Sequence, residues 1–244
     1  MDNAVYVSLS RQMTLQREMD VTANNLANID TAGFKVDAMV LNTDPINAPA
    51  NDNPTVQYVV DAQMTRDFGE GPLQQTSNPY DLAVEGDAFF SLQTAAGVVY
   101  TRDGRFTTDP TGQLTDQQGH AVLDATGRPI VLRPKASPPV IGGDGTVTQD
   151  GQPVGKIAIF RFPTRSALSK VGTNAYQNTS PTNAPVVATD ATVRQGMIED
   201  SNVKPILEVT NLIQISRAYE RIASIMNSAT DLSKSAVDRL GKSA

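Results

Sequence analysis

The 244-residue chain has no cysteine, no tryptophan and a single histidine. Without cysteine there can be no disulfide, no thiolate metal site and no thiol nucleophile, and the redox compartment is left open. No apolar run reaches eighteen residues, so no membrane span is expected. The first sixteen residues, MDNAVYVSLSRQMTLQ, lack a basic segment followed by an apolar one, so no cleaved secretory leader is expected. A net charge of −6 argues against nucleic acid as a general partner, because phosphate binding needs a basic surface. Catalytic signatures are also missing. There is no H-E-x-x-H, P-loop, G-x-S-x-G or complete G-x-G-x-x-G around the lone His120. The run GGDGT at 142–146 has no helix pattern after it and reads as a turn. The segments EGD at 85–87 and DGTVTQD at 144–150 lack the order of an EF-hand, and Asp-Gly is a hairpin dipeptide. Asp87 and Asp103 read as turn residues, and Asn178-Thr179-Ser180 is a weak glycosylation sequon. No catalytic residue, cofactor or metal is expected.

What is present is concentrated at the two ends. Residues 201–244 carry six Lys/Arg and four Asp/Glu, and residues 1–36 carry three and four, so the 164 residues between them hold a charge of −7. Near the C-terminus, positions 212, 215, 219, 222, 226, 229, 233, 236 and 240 step by three and four and read Leu, Ile, Tyr, Ile, Met, Ala, Ser, Ala, Leu. No Gly or Pro interrupts the stretch between Pro205 and Gly241. That spacing predicts a long helix with a coiled-coil seam, started by Ser201, Asn202 and Pro205. The N-terminal pattern, at 1, 5, 8, 12, 15, 19, 22, 26 and 29, is apolar at six of nine positions, Val5, Leu15, Met19 and Leu26 among them. Assembly contacts are expected along these seams, at those four residues and at Leu212, Ile215, Tyr219, Ile222 and Met226, and also around the helix ends at Asn24, Asn25, Asn28, Thr31, Gly33, Phe34, Ser201 and Asn202. Two such stripes cannot both be hidden on a separate small β domain, so the helices pair with each other or neighbouring copies complete the packing.

Between the helices the period changes to two. From Asp81 to Arg133, short β-prone runs alternate with Asp103-Gly104, Thr111-Gly112, Gln118-Gly119 and Thr126-Gly127, seven or eight residues apart, as in an antiparallel meander. A further hairpin is expected around Asp150-Gly151, followed by a buried strand over 156–162. The predicted fold class is α+β and multidomain: long N- and C-terminal helices forming a coiled-coil-type domain that flanks a mostly antiparallel β domain. The boundaries read as a helix and turn over 1–36 that pair with 201–244, an extended connector with short strands over 37–79, a β-rich domain over 80–162, a second connector over 163–200 and the C-terminal helix over 201–244.

The stretch ANNLANIDTAGFK, residues 23–35, crowds Asn24, Asn25 and Asn28 into the end of the first helix. Asparagine is a mediocre helix former that tolerates left-handed geometry, so a helix terminus is the first reading. The same residues resemble a known signature. Asn24, Asn25, Leu26, Ala27, Asn28, Thr31, Gly33 and Phe34 fill the pattern N-N-(L/I)-A-N-x-x-T-x-G-(F/Y) of flagellar basal-body rod and hook proteins. Ser201, Asn202 and Val203, with Arg217, Ala218, Tyr219 and Glu220, resemble the C-terminal signature of that family. NPYDLAVEGDAFFSLQT and the run after it are similar to its β domain, apart from Ala88 where relatives carry Gly. The resemblance covers most of the chain. It implies a structural subunit of the flagellar rod, most like the proximal-rod branch, polymerising helically through its terminal helices to transmit torque. It also implies neighbouring rod subunits and the flagellar type III export apparatus as partners, and a periplasmic location. A distal-rod or hook subunit is the related alternative, and a peptidoglycan-binding or -processing β module is the alternative of another class.

Overall fold

A computed structural model describes residues 2–44 and 58–241, and the chain divides into two compact units. The first comprises residues 1–27, 37–65 and 204–244, and the second 28–36 and 66–203.

The first unit holds helix α1, Asp2–Ala27, helix α2, Pro205–Gly241, and a two-stranded sheet of Asp37–Asp44 with Tyr58–Arg66. Pro205 opens α2 at the one helical position where a missing N–H costs nothing. The Lys204 carbonyl then accepts from the Leu207 and Glu208 N–H groups. Glu208 also puts a negative charge on the first turn, where the helix dipole favours it. The two helices pack on one another, but among the described residues no long coiled coil forms, which corrects the fold class expected from the heptads. Among the described residues, two α-helices instead precede and follow a mostly antiparallel β unit in the sequence.

The physical reasons are visible along both helices. With 26 residues against 37, α1 falls short of α2 by roughly 16 Å at 1.5 Å per residue. The face that α1 buries is largely polar: Thr14, Thr22 and Asn25 are buried beside Leu15. Thr14 and Thr22 satisfy their hydroxyls on the carbonyls four residues back, so they add little adhesion. On α2 the heptad residues Leu212, Ile215, Tyr219, Ile222 and Met226 are each half-buried. Side chains at 233, 236 and 240 lie outside the described residues, as does that of Val5, and so do residues 45–57 of the 37–79 connector.

The second unit is built on a nine-stranded sheet whose pairings are antiparallel. Its central strand, Phe89–Thr94, pairs with Gly97–Thr101 on one side, and with Ala121–Val122 and Ile159–Arg161 on the other. Alternation sends successive side chains to opposite faces. Phe90 and Leu92 therefore enter one apolar core with Leu82, Val122, Val147 and Ile157. Phe89 enters a second core with Phe68, Tyr100, Phe162 and Tyr176, packed edge to face with centroids 4.7–6.1 Å apart.

The meander turns repeat one design. In Asp109–Gln113, Asp116–His120 and Asp124–Arg128 the leading carboxylate accepts the N–H groups two and four residues on, at 2.7–2.9 Å. The fourth residue is Gly112, Gly119 or Gly127, each at positive φ. The glycines are legible in the sequence as turn markers, whereas the aspartates that hold the turns carry no such mark.

Candidate functional site

The signature stretch 23–35 falls where the chain passes from one unit to the other, and its asparagines divide their work. Asn25 is 2% exposed. Its Nδ2 donates to the Asp37 carbonyl at 2.8 Å, and its Oδ1 accepts the Asp37 N–H at 3.0 Å. The side-chain amide thus bonds both the N–H and the carbonyl of Asp37, as the residue opposite in a neighbouring strand would, fixing the start of the Asp37–Asp44 strand beside the end of α1. The Glu208 carboxylate lies 3.4 Å from the same Nδ2, so the first turn of α2 joins this clamp. Asn28 accepts twice from Thr31, through its carbonyl from the N–H at 3.3 Å and through Oδ1 from the hydroxyl at 3.1 Å. Asn24 is exposed. None of the three has positive φ, and α1 ends at Ala27, between Asn25 and Asn28.

Gly33 takes the left-handed conformation, at φ +67°, and a Cβ there would stand 2.4 Å from the Asp103 nitrogen. Only glycine fits such an approach. Its N–H donates to the Glu199 carbonyl at 2.8 Å. Phe34 is fully buried, with Lys170 Nζ 4.3 Å from its ring centroid, a cation–π contact. Thr31 is half-buried and Ser201 is buried, its hydroxyl accepting the Val203 N–H. Asn202 links three segments: Oδ1 accepts the Val36 N–H at 2.8 Å, and Nδ2 donates to the carbonyls of Asp67 and Gly69 at 2.8 and 3.2 Å. The structure therefore joins the N- and C-terminal signature segments, residues 31–36 with 199–203, inside the second unit.

Three charged residues that no sequence motif singles out lie at this junction. Lys35 Nζ sits 2.5 Å from Glu199 Oε1, and Arg102 Nη1 sits 3.0 Å from Glu199 Oε2. Burial pulls the Lys35 ammonium below the ordinary lysine range, against the Glu199 carboxylate that favours its charge. Lys35 closes the stretch 23–35, but pairings across 164 and 97 residues have no sequence period to betray them.

The helices offer a different kind of feature. Leu15 is buried, while Met19 and Leu26 are half-buried beside it along α1. Outside the paired faces, apolar side chains stand in solvent: Tyr6, Leu9 and Met13 on α1, and Ile206, Leu207, Val209, Ile213, Ile225 and Leu232 on α2. Ile206 is 82% exposed. Positions 6, 9 and 13 share a helix face, as do 206, 209 and 213. The heptad pattern misses the α2 residues because PILEVTNLI is apolar on more than one side, and a single seam keeps one of them.

A cleft of about 480 Å³ in the second unit is lined by Thr94, Thr101, Asp103, Arg105, Asp116 and His120, among others. Its charged groups are already matched: Arg105 to Asp103 at 2.8 Å, and His120 Nδ1 to Asp116 Oδ2 at 2.8 Å. The Asp103 carboxylate raises the Arg105 guanidinium above its ordinary range. Thr94 and Thr101 donate to backbone carbonyls. These polar groups serve turns and loops.

Three family models match the chain: "Flagella basal body rod protein" over residues 5–35, "Flagellar hook protein FlgE/F/G D1 domain" over 83–149 and "Flagellar basal body rod FlgEFG protein C-terminal" over 194–239. Across 245 aligned residues, 99% of each chain, the sequence is 48% identical to the flagellar basal-body rod protein FlgF of Caulobacter vibrioides. The chain belongs to the flagellar basal-body rod family. It is a structural subunit of the rod. Identity to the FlgF of Escherichia coli is 31% over 95% of each chain. To the FlgG of Bacillus subtilis it is 28% over 94% of this chain and 96% of that one. Two of the three family matches reach the segments that the junction joins, one covering 31–35 and the other 199–203. Rod-family membership carries assembly with other rod subunits. Among the described residues no helix is long and apolar enough to cross a membrane.

Proposed function

We propose that this rod subunit polymerises helically in the proximal rod through α1 and α2, whose outer apolar faces pack on neighbouring subunits, and that it transmits torque in that position. The observation that carries the reading is the exposure left after the helices have paired, from Tyr6, Leu9 and Met13 on α1 to Ile206, Ile225 and Leu232 on α2. Each buried Leu or Ile side chain is worth about 1.5–3 kcal/mol, so a subunit contact covering several of them is strongly favoured. The half-buried residues Leu212, Ile215, Tyr219, Ile222 and Met226 belong to the same contact region. Asn24 and Asn28, at the end of α1 and on the turn that follows it, sit where they can meet a neighbour.

Delivery by the flagellar type III export apparatus and residence in the periplasm belong to the same reading and rest on family membership. The role asks for no catalysis. In keeping with that, the carboxylates of Asp87 and Asp103 hold Arg165 and Arg105, and the His120 ring closes a turn. The test is Leu232→Asp or Ile206→Asp in cells. Both positions are exposed in the free chain, so the purified variant keeps its melting temperature while rods and swimming are lost. Normal rods in both variants would remove the helices' outer faces from the subunit contact.

A further inference from the structure

Lys35, Arg102 and Glu199 are 0%, 1% and 0% exposed. One carboxylate therefore serves two cations in a dry site. The surplus donors go to backbone carbonyls: Lys35 to Gly69 at 2.6 Å, and Arg102 to Val84 at 3.2 Å and Gly86 at 2.6 Å. The Glu199 carboxylate also accepts the Gly71 N–H at 2.8 Å. Arg102 stacks over the Phe89 ring at 5.2 Å, and its Nε is buried without a hydrogen-bond partner. The Glu199 backbone takes the Gly33 N–H, and Asn202, three residues on, takes that of Val36.

We propose that this triad is an electrostatic clasp that makes docking of the N-terminal signature segment, residues 31–36, conditional on the C-terminal segment 197–203. Before Glu199 arrives, closing segment 31–36 would bring the Lys35 ammonium against the Arg102 guanidinium with backbone carbonyls and the field of the Glu70 carboxylate, which makes no ion pair with either, to balance them. Like charges enclosed in a low-dielectric site repel, and each loses its water without an ionic partner. Once Glu199 is seated, its carboxylate bridges both cations and its backbone supplies the acceptor for Gly33. The two signature segments, 164 residues apart at Lys35 and Glu199, therefore close and open together. The N-terminal turn is the last part of the second unit to shut, because it waits for 197–203, the segment of that unit farthest along the chain. This is a property of the single chain in solution and does not depend on the assembly reading.

The experiment is hydrogen exchange followed by mass spectrometry on the purified full-length chain, Glu199→Gln and Lys35→Met/Glu199→Gln. In Glu199→Gln, peptides covering 31–36 and 197–203 exchange faster together, by about 100-fold or more given the size of an uncompensated buried charge, while 89–94 keeps its protection. Adding Lys35→Met removes one stranded cation and restores about tenfold or more of the lost protection at 31–36. Should Glu199→Gln fail to fold, a folded core in the double variant supports the clasp equally, and an unfolded double variant overturns it. The clasp is also overturned if 31–36 keeps its wild-type exchange in Glu199→Gln. The same holds if Lys35→Met adds to the loss instead of relieving it, as it would were Lys35 there only to fill space.

Discussion

Replacing Asn25 by alanine separates the account of the signature asparagines from a simple helix-terminus reading. The substitution removes two hydrogen bonds from the Asp37 backbone, the one its N–H donates to Oδ1 and the one its carbonyl accepts from Nδ2. Asp37 is 7% exposed, so water has poor access to the groups left behind. Each buried hydrogen bond lost without replacement costs about 1–3 kcal/mol, which gives roughly 2–6 kcal/mol for the pair. Alanine returns about 0.5–0.7 kcal/mol of helix propensity, leaving a net loss of about 1.3–5.5 kcal/mol. Asn25→Asp keeps the acceptor but turns a carboxylate toward the Asp37 carbonyl and the Glu208 carboxylate, so it should be at least as damaging. Urea unfolding of the purified chain, followed by circular dichroism of the helices, measures both. Gln16→Ala, at an exposed position on the same helix, is the reference and should stay within about 0.5 kcal/mol of wild type. If Asn25→Ala shifts the helix transition no more than Gln16→Ala does, the two-point clamp is wrong.

Gly33→Ala should destabilise the second unit by more than the ~1–2 kcal/mol of a left-handed alanine, because its Cβ would also meet the Asp103 nitrogen at 2.4 Å; thermal unfolding of the purified variant reads this. The Asp144 carboxylate is held down to about 2, from 3.8, by the Thr146 hydroxyl, then the Thr146 N–H and Lys156. A depressed folded value stabilises the fold above the unfolded pKa and is lost as pH falls. The Asp144 contribution should therefore disappear between about pH 4 and pH 2, and carbon-detected NMR titration of its carboxyl, with Asp144→Asn as the comparison in acid unfolding, checks it. Asp116→Ala removes the acceptor of the Gln118 and His120 N–H groups and the partner of the His120 ring. It should cost about 1–3 kcal/mol, read in the same unfolding assay, and leave α1 and α2 helical.

Legibility in the sequence follows the range of the interaction. Helices α1 and α2 and the Asp-Gly and Thr-Gly turns are set by residues within four or five positions of one another, and period and turn chemistry expose them. The heptads mislead in one respect. A 3.5-residue period reports that one face of α2 is apolar but not what covers it, and α1 is too short and buries Thr14, Thr22 and Asn25 there. In the signature segments, residue types point to the right place without the right contact. Asn25 stands out as a poor helix former, but nothing local shows that its amide pairs with Asp37 twelve residues later. Lys35, Arg102 and Glu199 look like ordinary surface charges in the sequence, and only the fold brings them into one dry site. The exposed stripes are half legible: Leu9 and Met13 widen the N-terminal pattern, whereas the second apolar side of 206–213 reads as helix and nothing more.

The central claim, that the outer faces of α1 and α2 are subunit contacts in the rod, has a direct test because the chain carries no cysteine of its own. Leu9→Cys and Ile206→Cys place one thiol each at positions that are 43% and 82% exposed in the free chain. Their reaction with a bulky maleimide can be compared between the purified chain and basal bodies isolated from swimming cells. The account predicts prompt labelling of the purified chain at both positions and shielding of both in the basal body. Labelling of the assembled rod at the free-chain rate would contradict it.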